Sequence, residues 1–246
     1  MRLNGKTAVV TGGASGFGAG IAAKFAAEGA TGLIADINGE AARAKAAELN
    51  GHSLPVDVAD VQSVAARAAA AADMLGPIDI VVNNAGITHM PKPLEEVDEA
   101  EFDRVRAVNA KSVYLMARAF VPQMKVRNTG VILNVASTAG ISHRPNLNWY
   151  NASKGWMITA TKTMAVELAP HGVRGNAICP VAGETPLLSS FMGEDTPEMR
   201  AKFISTIPLG RFSTPEDMGN AACYLCSDEA GMVTGVALEV DGGRCI

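Results

Sequence analysis

The chain has 246 residues, 48% hydrophobic and 19% charged, with 25 glycines, a composition that excludes global disorder and fibrous repeats. Lys and Arg number 21 against 25 Asp and Glu, a formal net charge of -4 with no block of like charge, so no electrostatic footprint for nucleic acid is present. No uncharged apolar run reaches the ~18 residues of a membrane span, and no signal-like segment opens the chain, so a soluble cytoplasmic protein is expected.

Short β-branched runs alternate with Ala-rich helical stretches, the pattern of a parallel sheet covered on both faces. Strands are expected at 7–11, 31–35, 53–56, 78–83, 131–135, 174–179 and 236–240. Helices are expected at 16–28, 39–49, 59–75, 98–125, 150–169 and 215–226, separated by turn signals such as Asn50-Gly51 and Gly76-Pro77. With right-handed crossovers this is one α/β domain over 1–246, a doubly wound parallel seven-stranded sheet with helices on both faces. The stretch 180–215 breaks the alternation, carrying Pro186, Pro197 and Pro208 among apolar residues such as Leu188, Phe191 and Phe203. At a strand's C-terminal end, where α/β ligands bind, it reads as a helical substrate lid over about 183–213, or else as a surface helical pair. Cys179, Cys223, Cys226 and Cys245 are too few for a disulfide scaffold; Cys223 and Cys226 fall in an apolar helical pattern, where they read as small hydrophobes, and no metal site is expected.

Thr11-Gly12-Gly13-Ala14-Ser15-Gly16-Phe17-Gly18 follows the first strand and opens the first helix, the context in which a glycine-rich turn can take a pyrophosphate. Asp36, at the end of the second strand, can accept both hydroxyls of an adenosine ribose. The same charge repels a 2′-phosphate, and the next basic residue, Arg43, lies a helical turn or more away, so NAD(H) is expected over NADP(H). Asp57 and Asn83-Asn84-Ala85-Gly86 follow the third and fourth strands, where adenine and ribose would pass; their alternatives are a helix cap and a turn.

Tyr150 and Lys154 stand at i and i+4 on one helix face, where an ammonium favours the phenolate. Ser137, ending the fifth strand, can hydrogen-bond the substrate oxygen with which Tyr150 would exchange a proton. Asn109 faces inward from the long helix.

In this order T-G-x-x-x-G-x-G at 11–18, N-N-A-G at 83–86, Asn109, Ser137, Y-x-x-x-K at 150–154, Pro180 with Thr185, and Asp241-Gly242-Gly243 resemble the short-chain dehydrogenase/reductase family, in its compact branch, over the whole chain. The resemblance implies a Rossmann-like fold, a homotetramer, and NAD(H)-dependent interconversion of a secondary alcohol, aryl or cyclic ones included, with its ketone. It assigns Tyr150 as general acid/base, Lys154 to the nicotinamide ribose, Ser137 to substrate orientation and Asn109 to a proton-relay water. Cofactor contacts are expected from Gly12, Ser15, Gly16, Phe17 and Gly18, from Asp36, Ile37, Asp57 and Val58, from Asn83, Ala85 and Gly86, and around the nicotinamide from Tyr150, Lys154, Pro180, Gly183 and Thr185. Substrate contacts are expected from Ser137, Tyr150, His143 and Trp149, the last two with packing or exposure as the alternative. Val181 stands where the family usually has Gly, and Phe17 where it has Ile or Leu. A 3-oxoacyl-thioester reductase and a glucose-type dehydrogenase are the alternative activities, and a non-catalytic dinucleotide sensor is the alternative class. The partner expected is a small molecule, with neither nucleic acid nor membrane.

Overall fold

Runs of four to eight residues form the strands β1 (Thr7–Thr11), β2 (Thr31–Asp36), β3 (His52–Pro55), β4 (Ile80–Asn83), β5 (Gly130–Val135), β6 (Val173–Pro180) and β7 (Ala237–Val240), of which β1, β4 and β5 are rich in Val and Ile. The computed structural model describes residues 1–246 and pairs these strands in one sheet of order β3-β2-β1-β4-β5-β6-β7, every ladder parallel. Successive strand residues point to opposite faces, so Val9 and Val10 of β1 enter different apolar clusters. One cluster joins Val10, Ile34, Val82 and Leu133 to Phe25 of α1 (Gly16–Ala27) and Met218 of α9 (Pro215–Cys226). The other joins Val9, Leu33, Val81 and Ile132 to Val64 of α3 (Val61–Leu75) and Phe120 of α5 (Ser112–Arg127). Each fully buried Val, Leu, Ile or Phe contributes about 1.5–3 kcal/mol, which makes the double-faced sheet the rigid base of the molecule. Cys223 and Cys226 are buried in the first cluster.

The expected helix 98–125 is interrupted. It is α4 (Glu99–Arg106), a π-helical turn at Ala107–Lys111, then α5. The wider turn places Asn109 fully buried, and π insertions of this kind recur at functional sites. The remaining helices are α2 (Gly39–Glu48), α6 (Asn148–Leu168), α7 (Leu188–Met192) and α8 (Pro197–Ile204), the last two lying within the excursion after β6. That excursion has its own small core of Val181, Leu188, Met192, Ile207 and Phe212, and Gly183 pairs with Ser213 at its base. Val181 has no left-handed backbone, so it needs no glycine there, and its side chain anchors this small core.

After β3 the chain crosses to the far side of β1 to lay down β4. The C-terminal ends of β1 and β4 therefore diverge into a crevice, the switch point at which open α/β sheets bind ligands.

Candidate active site

A cavity of about 630 Å³ runs from this crevice along the strand ends to the excursion after β6. At one end lies the glycine-rich turn. Gly16 adopts φ +52° facing Thr185, and a Cβ on Gly18 would sit 2.2 Å from the Gly12 carbonyl oxygen, so only glycine lets the chain fold this tightly. Ser15 caps α1 by position but its hydroxyl bonds no backbone N–H, which leaves the first-turn amides and the positive helix end facing the cavity. The Asp36 carboxylate is held at the wall by the backbone amides of Ala14 at 3.2 Å and Asn38 at 3.0 Å. Ile37, Asp57, Val58, Ala85 and Gly86 continue the wall, and Pro180, Gly183 and Thr185 close it toward α7.

At the other end Ser137, Tyr150 and Lys154 line the same cavity. Tyr150 and Lys154, on the first turns of α6, are 5% and 4% exposed. Lys154 Nζ donates to the Val135 carbonyl at 2.8 Å and lies 5.8 Å from the centre of the Tyr150 ring. Gly86, three residues past β4, lies beside both groups: a Cβ there would stand 3.4 Å from Lys154 Nζ and 3.5 Å from Asn109 Oδ1. Asn109 clamps the chain after Gly86: its Oδ1 accepts from Ile87 N–H at 2.9 Å, and its Nδ2 donates to the Ile87 carbonyl at 2.8 Å and to Ser153 Oγ at 3.0 Å. Ser137 Oγ accepts from the Ala139 amide at 3.1 Å, which leaves its hydrogen to donate. Burial pushes the Tyr150 phenol up to about 12, opposed by the neighbouring Ser137 hydroxyl and the Arg144 charge. Burial also pulls the Lys154 ammonium down to about 8. Both groups are thus driven toward neutrality, and the phenolate depends on cations brought near it.

Four expected residues lie elsewhere. Gly18 stands behind the turn and shapes it without lining the cavity. Asn83 is buried in the sheet, because register sets it opposite Asn134, to whose Oδ1 it donates at 2.8 Å; Asn84 lines the cavity instead. His143 is exposed, with Nδ1 2.9 Å from the Ala139 carbonyl, and does not reach the wall. Trp149 faces away toward α4, its indole donating to the Leu94 carbonyl at 3.1 Å and its ring edge-on to Phe102. Sequence reasoning missed Arg144, Arg244 and Phe191, all on the wall. Phe191 meets the Tyr150 ring edge-on at 5.1 Å. An apolar position in the excursion was the available signal for Phe191; nothing local marked the two arginines.

The family model described as enoyl-(acyl carrier protein) reductase matches residues 12–244. The chain is 50% identical to 4-formylbenzenesulfonate dehydrogenase of Comamonas testosteroni, over 100% of both chains. It is 38% identical to the NAD(+)-named 2-dehydro-3-deoxy-L-rhamnonate dehydrogenase of a Sphingomonas strain, over 99% of this chain and 96% of that one. Among solved structures, the 3-ketoacyl-(acyl-carrier-protein) reductase of Brucella melitensis complexed with NADH superposes with a TM-score of 0.95 at 47% identity, covering 99% of this chain and 100% of that one. Sequence, strand order and cavity agree, and the chain belongs to the short-chain dehydrogenase/reductase family.

Proposed function

We propose that the protein interconverts an alcohol, secondary and aryl ones included, and its carbonyl form by hydride transfer with NAD(H), with Tyr150 exchanging the proton. The observation that carries this reading is one continuous cavity with a phosphate-sized glycine turn and an anchored Asp36 at one end and Tyr150, Lys154 and Ser137 at the other. The donor set fits a dinucleotide: free amides of α1 for the pyrophosphate, and the Asp36 carboxylate for ribose hydroxyls, with no basic group on the wall beside it for a 2′-phosphate. When bound, the nicotinamide supplies or accepts the hydride. Ile37, Asp57, Val58, Ala85 and Gly86 would flank the adenosine half, and Pro180, Gly183 and Thr185 the nicotinamide half.

The residues of the chain do the rest. Ser137 donates to the substrate oxygen and orients its carbon. Tyr150 Oη gives that oxygen a proton in reduction and takes it back in oxidation. Lys154 would hold ribose hydroxyls and adds positive charge that favours the phenolate, while Asn109 fixes the Ile87 segment that passes beneath. The excursion at 183–213, with Phe191 against Tyr150, excludes water from the reacting oxygen. The aryl aldehyde in the Comamonas relative's name supports an aryl substrate. A 3-oxoacyl thioester remains the second reading, supported by the name of the Brucella structure.

We further propose a cytoplasmic homotetramer over one domain, 1–246. Four free cysteines support a reducing compartment, and β7, an outer edge of the sheet, with the exposed Ile246 supports an interface. No helix is long and apolar enough to cross a membrane.

The test is NADH consumption at 340 nm with aryl ketones and a 3-oxoacyl thioester. Tyr150→Phe is expected to lower kcat by about 10²–10⁴-fold while NADH still binds. Full activity in that variant overturns the assignment; tight NADH binding without turnover on any carbonyl compound favours the sensor.

A further inference from the structure

The cavity's charges are sorted by sign. Its two acids, Asp36 and Asp57, stand at the ends of β2 and β3, whereas Arg144 follows β5 and Arg244 follows β7, several strand spacings of ~4.8 Å away. Lys202 of α8 is at the rim on the basic side.

Arg144 and Arg244 have no carboxylate partner. Arg2, Arg106, Arg127, Arg200 and Arg211 each pair with an acid and Arg43, Arg67, Arg104, Arg118 and Arg174 do not; Arg144 and Arg244 are the two arginines that line the cavity. Arg244 Nη1 has only a long 3.5 Å contact with Ser142 Oγ, and the Arg144 guanidinium lies over the Phe203 ring at 4.0 Å, which orients it without neutralising it. Burial and the nearby Arg244 charge both weaken proton binding at Arg144. Two half-buried like charges cost stability unless an anion joins them. The same wall carries apolar and aromatic side chains: Leu147 clusters with Tyr150 and Phe191, Phe203 lies under Arg144, and Met199 lines the cavity as well.

We propose that Arg144 and Arg244 bind a carboxylate or sulfonate of the substrate, so that the substrate is an anionic aryl alcohol or aryl carbonyl compound whose charge lies at the end remote from the reacting carbon. Guanidinium groups suit this task because their planar donors match the paired oxygens of such anions. This inference rests on the oxidoreductase reading for the reacting end, but the anion site stands on its own groups.

The test uses 4-acetylbenzoate, 4-acetylbenzenesulfonate and neutral 4-methylacetophenone. Their binding is measured by calorimetry with and without NADH, and their reduction at 340 nm, for the natural protein and for Arg144→Met, Arg244→Met and Arg144→Lys. The natural protein is expected to bind both anions at least about tenfold more tightly than the neutral ketone, a preference that shrinks with added salt. Each Met variant is expected to lower the anionic-to-neutral ratio of kcat/KM by about 10–100-fold, acting through KM, with Arg144→Lys recovering part of it. Equal affinity for charged and neutral ketones in the natural protein overturns the proposal without any variant, as does a preference that survives both substitutions. Arginine-dependent anion binding with no NADH consumption on any ketone keeps the anion site and overturns the hydride-transfer reading. Turnover of the neutral ketone with no anion advantage does the reverse.

Discussion

Lys154 reaches Tyr150 only through space: its Nζ is bonded to the Val135 carbonyl at 2.8 Å and stands 5.8 Å from the phenol ring centre. No hydrogen bond joins the two groups, and the neighbouring charge that lowers the phenol's proton affinity is that of Arg144. The lysine's own charge is expensive to keep, because the same burial that raises the phenol lowers the ammonium.

Lys154 should accordingly lower the protein's stability. Its proton is bound more weakly folded, at about 8, than in the unfolded chain near 10.5. The unfolded state thus holds more protons between those values, and this residue's contribution improves as pH rises through that window. At about 1.4 kcal/mol per pH unit the charged form costs ~3 kcal/mol below pH 8. Lys154→Met keeps the apolar stem and loses the Val135 bond, for a net gain of roughly 2 kcal/mol, or about 4–8 °C in Tm at pH 7. The gain should shrink at pH 10, while activity falls; thermal melts at the two pH values check both signs.

The raised phenol sets the pH dependence of catalysis. Reduction needs Tyr150 protonated, its state at neutral pH, whereas oxidation needs the phenolate. Oxidation kcat/KM should keep climbing with pH, with no plateau below about 12, while reduction stays flat through neutral pH. Arg144 lowers the phenol's proton affinity, so Arg144→Met should displace the oxidation limb to higher pH, even with a neutral substrate. A limb that does not move would mean that the Arg144 charge does not reach Tyr150.

Asp36→Ala removes the negative charge at the end of β2. The ratio of kcat/KM with NADP⁺ to that with NAD⁺ should rise at least about tenfold, by relief of repulsion and loss of the ribose acceptor. An unchanged ratio places the ribose elsewhere.

Asn83, Asn134 and Thr161 form a buried chain of hydrogen bonds, both links 2.8 Å, beneath the site. Asn134→Ala leaves the Asn83 amide unpaired inside the sheet, while Thr161 keeps its bond to the Met157 carbonyl, and should cost about 1–3 kcal/mol. Denaturant melts should show that loss without a change in cofactor preference.

Much of this molecule is legible along the chain because the relevant signals are local. Seven short apolar runs announce the strands, and a glycine turn between β1 and α1 announces the nucleotide end. Tyr150 and Lys154 are four residues apart on one helix, so periodicity alone puts them together. What escaped has non-local causes. Whether Asn83 or Asn84 lines the cavity depends on where β4 ends and which face each side chain takes. Trp149 adjoins Tyr150 in sequence yet points about one helical step away, toward Phe102. Arg144 and Arg244 are a hundred residues apart and share a wall only because β5 and β7 end on the same side of the sheet.

The five residues Val181, Leu188, Met192, Ile207 and Phe212 that pack the excursion after β6 belong to no strand-face cluster. Replacing residues in this small assembly therefore leaves the sheet's packing intact, and with it the spacing of Tyr150, Lys154 and Ser137. Variation concentrated here can change which molecules are admitted while the proton-transfer machinery is inherited unaltered, the physical basis on which one catalyst can diverge toward many substrates.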